Sequence, residues 1–292
     1  MSSSSSSASW QRLIRFEAKG AVHIGEPVDE RLDIGLAYEN KQKIEVHVLD
    51  GSCPWDPSAT RTGEVLTVET LLSPISAETV GTVRCTGLSY RDHAEEMGLP
   101  IPETPSVFTK PAQSLADPGT SIPIPLAAQD EQLDYEVELA IVIGKTCKGV
   151  SSEEAMNYVL GWTCANDLTA RKQQKVTSQW VFAKGFDKFC PLGPCIVSTR
   201  ALPDPHILAL KTHVNGDIKQ DGSASKMIWP IAHIIHHLSQ GTTLPAGTVI
   251  ITGTPPGIGD GATPRFWLKD GDDVRCFISH GVGTLINKIA YE

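Results

Sequence analysis

Residues 133–144 read LDYEVELAIVIG, an apolar run of strand-forming residues that carries two carboxylates, Glu136 and Glu138. Side chains alternate along a strand, so both carboxylates lie on one face while Tyr135 and Val137 point to the other, toward a core. At about 3.3 Å per residue, the two Cβ atoms are roughly 7 Å apart on that face. Two carboxylates this close repel each other, and partial burial raises the pKa of at least one. A bound cation would remove that penalty; the alternatives are a solvent-facing polar edge or pairing with Arg and Lys.

A third acid, Asp167, ends the apolar segment YVLGWTCAND at 158–167. Carboxylates at strand ends are common sites of chemistry because the following loop is free to shape a pocket. Three hard oxygen ligands without nearby Cys or His suit Mg²⁺, Mn²⁺ or Ca²⁺ rather than zinc. The pattern therefore indicates a candidate metal site at Glu136, Glu138 and Asp167, with a polar strand edge or pairing with Arg and Lys as the open alternatives.

Composition excludes several classes of protein. The chain has 292 residues, of which 40% are hydrophobic, as expected for one large domain or a large domain with a small appendage. A net charge of −9 argues against a nucleic-acid binder, although a site can still be locally positive for an acidic small molecule. Seven cysteines without a CxxC pair favour a reduced intracellular protein. No apolar run reaches about 18 residues, so we expect no membrane span.

The order of segments predicts three parts. Residues 1–9 are a Ser-rich tail that we expect to be disordered; they have no apolar signal core, and we favour a cytoplasmic location over a mitochondrial one. Residues 10–75 form a small β-rich N-terminal module, with strands predicted in RLIRFEA, RLDIGLAYE and KIEVHVLDG. Residues 82–292 form the larger part, in which we expect a VNGD hairpin, a helix start in SSEEAMNYVL and an amphipathic helix that ends at Gly241. Many strands and few helices predict a mixed α+β, mostly β fold.

Seven motifs within residues 82–290 resemble the fumarylacetoacetate hydrolase superfamily, in its fumarylacetoacetate hydrolase domain-containing branch of acylpyruvase, oxaloacetate decarboxylase and oxaloacetate tautomerase-like enzymes. In chain order they are SYRDHAEEMG, FTKP, LDYEVELAIVIGK, GWTCANDLTARKQQ, FAKGFDKFCPLGP, VNGDIKQDG and ITGTPPGIG. The resemblance implies a β-roll catalytic fold with short helices and commonly a homodimer. It also implies a divalent metal, usually Mg²⁺, held by Glu136, Glu138 and Asp167.

His93 and Glu96 are three residues apart in DHAEEMG. On a helix they would lie on one face, where a carboxylate fixes the imidazole tautomer and raises its basicity. Taken alone, such a pair is more often a solvated surface pair; the resemblance implies a dyad on a short lid helix that activates water. Glu95, at i+2 from His93, would face away. Lys184 matches the active-site lysine of the family, so the expected catalytic residues are His93, Glu96 and Lys184.

The resemblance also places several residues at the substrate. The expected substrate-binding residues are Tyr90, Lys110, Arg171, Gln174, Thr252, Gly253 and Thr254. Two positions depart from the family pattern: Ser89 stands where Asn is frequent, and Lys172 stands where Asp is frequent. Neither removes an expected ligand or dyad member, but both can reshape the pocket, so the substrate stays open.

These residues predict a metal-dependent enzyme that acts on a small 2-oxo acid or 1,3-dicarbonyl compound through an enolate. Hydrolysis of a C–C bond in an acylpyruvate-type compound is the leading hypothesis, because the dyad is intact. Keto–enol tautomerisation or decarboxylation of oxaloacetate is the alternative. A non-catalytic, metal-stabilised binding protein is a further alternative from a different class.

Overall fold

The computed structural model describes residues 8–292, and its strands outnumber its helices. The strands are β1 (Arg12–Ala18), β2 (Ala21–Pro27), β3 (Glu45–Leu49), β4 (Arg61–Thr67), β5 (Thr70–Leu72), β6 (Thr82–Gly87), β7 (Ser106–Pro111), β8 (Leu115–Ala116), β9 (Ser121–Ile124), β10 (Leu133–Asp134), β11 (Val137–Ile143), β12 (Val159–Asn166), β13 (Thr169–Ala170), β14 (Cys190–Ser198), β15 (Ala209–Val214), β16 (Asp217–Ser223), β17 (Val249–Ile251), β18 (Asp273–Ile278) and β19 (Gly283–Tyr291). The helices are α1 (Ile34–Glu39), α2 (Ala77–Val80), α3 (Arg91–Glu96), α4 (Arg171–Val176), α5 (Val181–Lys184) and α6 (Ile231–Ser239). The predicted mixed, mostly β class is confirmed. Of the predicted tail, residues 1–7 lie outside the described residues.

Two sheets organise the described chain. The larger runs in the order β4-β3-β2-β1-β14-β12-β11-β17-β6-β7, with β5 added beside β1 and β8 beside β14. The smaller runs β16-β15-β18-β19-β9, and β10 pairs separately with β13. None of the helices in residues 8–292 is long and apolar enough to cross a membrane.

Strand β11 lies at the centre of the larger sheet and is buried along its whole length. Leu139 and Ile141 pack into one hydrophobic cluster, while Ala140 and Val142 pack into a second cluster on the opposite face. The alternation predicted one face toward a core, and the structure buries both. A solvent-facing polar edge is therefore excluded for this strand, and the two glutamates at its start lie in the interior.

The N-terminal segments follow the predicted pattern in part. RLIRFEA is strand β1 and KIEVHVLDG contains strand β3, as predicted. The strand predicted in RLDIGLAYE is wrong, because this segment forms helix α1. Asp33 caps that helix by accepting a hydrogen bond from the Leu36 N–H, and it also accepts from the Thr284 N–H and hydroxyl. Local alternation could not predict this contact with the far end of the chain.

The sheet is continuous between the N-terminal module and the larger part. Strand β1 pairs antiparallel with β14, with Arg12 opposite Val197 and Leu13 opposite Ile196. The Arg12 guanidinium also donates to the carbonyl oxygens of Gly281, Glu30 and Leu32. The boundaries 10–75 and 82–292 stay a prediction, but strand pairing joins the two segments they separate.

In the larger part, the predicted hairpin is confirmed: Asn215-Gly216 connects β15 to β16. The amphipathic helix is α6, which ends at Ser239, two residues before Gly241. The helix start predicted in SSEEAMNYVL is wrong. Ser151 accepts a hydrogen bond from the Glu154 N–H, and a single 3₁₀ turn at Ala155–Tyr158 leads directly into β12.

A buried carboxylate cluster beside a histidine–glutamate pair

Three carboxylates meet where β11 begins and β12 ends. The two strands are antiparallel with Val137 opposite Asn166, so the start of one lies beside the end of the other. The Asp167 N–H donates to the Glu136 carbonyl oxygen at 2.9 Å, and the Glu136 N–H donates to Asn166 Oδ1 at 3.1 Å. One carboxylate oxygen from each of Glu136, Glu138 and Asp167 lies within 4.8 Å of the others, and all three side chains are buried. The sequence-predicted metal ligands are thus brought together.

Lys184 bridges two of these acids. Its Nζ donates to Glu136 Oε2 at 2.7 Å, to Asp167 Oδ2 at 2.6 Å and to the Thr169 hydroxyl at 2.8 Å. Burial alone would lower the pKa of Lys184, but Asp167 and Glu136 outweigh burial and raise it. Lys184 is therefore a fixed positive charge at the acid cluster.

Arg171 binds the carboxylate oxygen of Glu136 that Lys184 does not contact. Its Nη2 donates to Glu136 Oε1 at 2.6 Å, and its Nε donates to Asp134 Oδ2 at 2.8 Å. Burial raises the pKa of Glu136, but Arg171 and Lys184 outweigh burial and lower it overall. Glu136 is therefore an ionised oxygen donor.

Lys110 lies behind the cluster with a completely buried side chain. Its Nζ donates to Asp167 Oδ1 and to the carbonyl oxygens of Leu168 and Phe189. This placement makes Lys110 a support for Asp167.

Glu138 is the member of the cluster with the least compensation. Within residues 8–292 it has no Lys or Arg side chain at ion-pair distance, and its Oε2 accepts from the Gly253 N–H at 2.6 Å. Burial, followed by the charges of Asp167 and Glu136, raises its pKa well above the usual range. Four carboxylates, counting Asp134, face three cations here, so no cation of the cluster is left to compensate Glu138 when it is ionised.

The donor set fits a hard divalent cation. Mg²⁺, Mn²⁺ and Ca²⁺ prefer carboxylate oxygens, and such an ion would stabilise the ionised form of Glu138 in place of its proton. The same ion would leave the cluster net positive, which suits an anionic ligand. Glu136, Glu138 and Asp167 are the residues that would hold it.

His93 and Glu96 form a hydrogen-bonded pair on α3, with 2.9 Å between Nδ1 and Oε2. The other oxygen of Glu96 accepts from the Gly257 N–H at 2.8 Å, which links this helix to the loop after β17. A carboxylate can only accept here, so Nδ1 carries the proton and the Nε2 lone pair is free to act as a base. Glu95 is exposed, as its position two residues from His93 predicted.

A cavity of about 320 Å³ joins the acid cluster to the dyad. The predicted site residues that line it are His93, Glu136, Glu138, Asp167, Arg171, Gln174, Lys184, Gly253 and Thr254. Glu96 does not line the cavity and contributes through its hydrogen bond to His93. In the described part of the chain, Tyr90, Lys110 and Thr252 lie outside the cavity wall: Tyr90 is buried with its hydroxyl unpaired, and the Thr252 hydroxyl donates to the Leu139 carbonyl oxygen.

Four further residues contribute to the site without having been predicted. Asp134 anchors Arg171 and accepts from the backbone N–H groups of Gly259 and Asp260. The alternation that singled out Glu136 and Glu138 extends back to Asp134 and could have found it. Gln220 accepts from the Val137 N–H and donates to the Thr254 hydroxyl, and Phe108 and Trp180 line the cavity. No local pattern marks these three residues, because their roles depend on contacts between distant segments.

This fold and this set of buried acids, lysine and histidine define an enzyme of the fumarylacetoacetate hydrolase family. Residues 82–290 match the family model described as fumarylacetoacetate (FAA) hydrolase C-terminal, and the chain belongs to that family. The match confirms the resemblance found in the seven motifs.

Individual relatives carry more specific names. The chain is 44% identical, over 98% of its length and 95% of the relative's, to a caffeoylpyruvate hydrolase of Neonothopanus nambi. It is 45% identical, over 70% of its length and 68% of the relative's, to an oxaloacetate tautomerase of Bacillus subtilis (strain 168). Among solved structures, a 2-hydroxyhepta-2,4-diene-1,7-dioate isomerase from Mycobacterium marinum superposes with a TM-score of 0.80 at 34% identity, covering 97% of this chain and 99% of that one.

Proposed function

We propose that this enzyme hydrolyses the C–C bond of an acylpyruvate-type 2-oxo acid and depends on a divalent cation, with Mg²⁺ as the ion. One observation carries the proposal: the His93 base and the acid cluster face the same cavity. The relative that aligns over nearly the whole chain, at 44% identity, is named for an acylpyruvate substrate.

The dyad supplies the proton transfers. His93 Nε2 takes a proton from water, and the resulting hydroxide adds to the acyl carbonyl carbon of the substrate. The C–C bond then breaks, its electron pair passes to the methylene carbon, and the charge delocalises onto the neighbouring keto oxygen as an enolate. The proton held on His93 returns to that carbon, so the products are a carboxylic acid and pyruvate. Glu96 keeps Nδ1 protonated and stabilises the imidazolium between the two transfers.

A divalent ion at the acid cluster would make this side of the cavity net positive and would account for recognition of an acidic substrate. A divalent ion, when bound, supplies a Lewis acid for substrate oxygens on which negative charge develops. Lys184 and Arg171 keep Glu136 ionised. Gln174 lines the cavity and accepts from Arg171 Nη1 at 3.0 Å, which leaves its amide N–H groups free to donate to a substrate carboxylate.

Oxaloacetate tautomerisation is the second candidate function. Relatives with that name are 45% identical over 70% of the chain and 40% identical over 75% of it. The same His93 could move a proton between carbon and oxygen of a 2-oxo acid without activating water. Decarboxylation of oxaloacetate would use the same enolate, and a binding protein without turnover would use the acid cluster alone.

Incubation with Mg²⁺ and acetylpyruvate, and separately with oxaloacetate, distinguishes these functions. We expect loss of the enol absorbance of acetylpyruvate with release of acetate and pyruvate. Faster enol–keto equilibration of oxaloacetate without a new product would favour the tautomerase, and pyruvate with CO₂ would favour the decarboxylase. No change with either compound would favour the binding protein.

Matched variants of α3 test the dyad. His93→Ala and Glu96→Gln should each lower kcat by about 10²–10⁴-fold, the range of general acid–base catalysis. Glu95→Gln changes the neighbouring, exposed carboxylate of the same helix and should leave kcat within about two-fold. Full activity in His93→Ala would remove the assigned base.

We also propose a homodimer, as the sequence resemblance implied, which light scattering of the purified enzyme would test. The cytoplasmic location expected from the sequence stays a prediction.

A further inference from the structure

Two aromatic rings form part of the cavity wall. Phe108 on β7 and Trp180, just before α5, meet edge to face with their centroids 5.3 Å apart and their planes at 66°. Both rings line the cavity that contains the acid cluster. The other apolar side chains of this cavity are Leu88, Met97, Leu99 and Ile258.

The position of the indole is fixed by the backbone around it. A Cβ at Gly87 would lie 2.9 Å from Trp180 Cζ3 and 3.7 Å from Phe108 Cε1, so the two rings pack directly against the glycine. The Trp180 carbonyl oxygen accepts from the Lys184 N–H at 3.1 Å. This single turn of helix ties the ring to the lysine that bridges the acids.

The aromatic rings are close to the acid cluster. Lys184 Nζ lies 5.0 Å from the centroid of the Phe108 ring, while it donates to Glu136 and Asp167. A small ligand with its oxygen atoms at the acid cluster therefore has the Phe108 ring, and the Trp180 ring packed against it, within reach. A volume of about 320 Å³ is in the range of small-molecule sites and admits one flat ring beyond a pyruvyl group.

Resting on the acylpyruvate hydrolysis proposed above, we propose that Trp180 and Phe108 form a wall that selects acylpyruvates whose acyl group is aromatic or otherwise flat and conjugated. Aromatic groups pack against Trp and Phe in offset or edge-to-face geometry, which a methyl group cannot do. Oxaloacetate carries a carboxylate where an acylpyruvate carries its acyl substituent, and an apolar wall desolvates that charge without compensating it. The wall therefore favours aryl acylpyruvates over both acetylpyruvate and oxaloacetate.

The test compares benzoylpyruvate with acetylpyruvate in the Mg²⁺-loaded enzyme. We expect kcat/KM to be at least ten-fold higher for benzoylpyruvate. Trp180→Ala should lower this ratio at least ten-fold, whereas Trp180→Phe, which keeps a flat ring, should retain most of it. Gly87→Ala displaces the indole and should lower the ratio as Trp180→Ala does.

Phe182→Ala is the matched control. Phe182 is two residues from Trp180 and 62% exposed, and its ring packs against Phe186 rather than lining the cavity. This variant should keep the wild-type ratio. If Trp180→Ala slows both substrates equally, its effect is on the structure of the site and the wall is overturned.

A binding measurement separates the wall from the reaction. In His93→Ala, calorimetry should show benzoylpyruvate binding at least ten-fold tighter than acetylpyruvate, with the preference lost when Trp180→Ala is added. That result supports the wall even if the wild-type enzyme catalyses another reaction. Equal affinities, or hydrolysis of both compounds with equal kcat/KM, overturn the wall and leave the proposed hydrolase standing.

Discussion

Replacing Gly253 by alanine should destabilise the protein and disturb the acid cluster together. Gly253 has a φ of +87°, and a Cβ there would lie 2.8 Å from Ser89 Cβ and 3.2 Å from the Thr86 carbonyl oxygen. Left-handed backbone costs an L-residue about 1–2 kcal/mol, and overpacking a buried site adds about 1–3 kcal/mol. We therefore expect Gly253→Ala to lower the free energy of unfolding by about 2–5 kcal/mol.

Gly216→Ala separates the two contributions. Gly216 has a φ of +89°, but a Cβ there would meet no heavy atom of the described residues within 4 Å. This control should lose only the backbone cost of about 1–2 kcal/mol. Urea unfolding followed by fluorescence and circular dichroism gives both values, and adding Ser89→Gly to Gly253→Ala should recover part of the difference because it removes the clashing atoms.

Comparing Gly253→Ala with Gly216→Ala also tests the metal site. The Gly253 N–H donates to Glu138 at 2.6 Å, so a backbone shift at this turn should weaken Mg²⁺ binding in Gly253→Ala and not in Gly216→Ala. If Gly253→Ala unfolds at the same urea concentration as Gly216→Ala and binds Mg²⁺ normally, the reasoning from close packing is refuted.

Three further perturbations have defined outcomes. Asp134→Asn removes one partner of the buried Arg171 and should cost about 3–5 kcal/mol of unfolding free energy in urea; a loss below about 1 kcal/mol would contradict the pairing. Gln220→Ala removes four hydrogen bonds and leaves the buried Val137 N–H unpaired, so it should lower the free energy of unfolding by at least about 3 kcal/mol. An unchanged urea midpoint would contradict a stabilising role of Gln220. Because the pKa of Glu138 is raised, a cation must displace its proton. Mg²⁺ affinity should thus increase as the pH rises through that pKa, with proton release measured calorimetrically in two buffers; a pH-independent affinity would contradict it.

The acids of the site could be predicted because local spacing determines their geometry. Glu136 and Glu138 share a face through strand alternation, and Asp167 follows the strand that pairs beside them. The contact between His93 and Glu96 was equally accessible, since residues three apart meet on any helical turn, but its catalytic role followed from the resemblance. The β-roll itself followed from the resemblance and not from residue patterns.

What could not be predicted depends on contacts between distant segments. The resemblance placed Lys110 at the substrate, but Lys110 reaches Asp167 from β7 and does not line the cavity. Trp180 packs on Gly87, and no local pattern marks it. The error at RLDIGLAYE has the same origin, because Asp33 both caps α1 and binds Thr284. Sequence patterns thus located the chemistry better than they located the groups that support it.

The pairing of β1 with β14 determines how the enzyme can be dissected. A fragment that began at residue 82, where the family match starts, would lose Trp10 and Leu13, which share a hydrophobic cluster with Leu192 and Ile196. It would also present the backbone of β14 at 196–197 as an open, apolar sheet edge, a template for association between chains. The segment before residue 82 thus covers this sheet edge and completes the cluster, so we expect trimming to the family boundary to expose a surface prone to association.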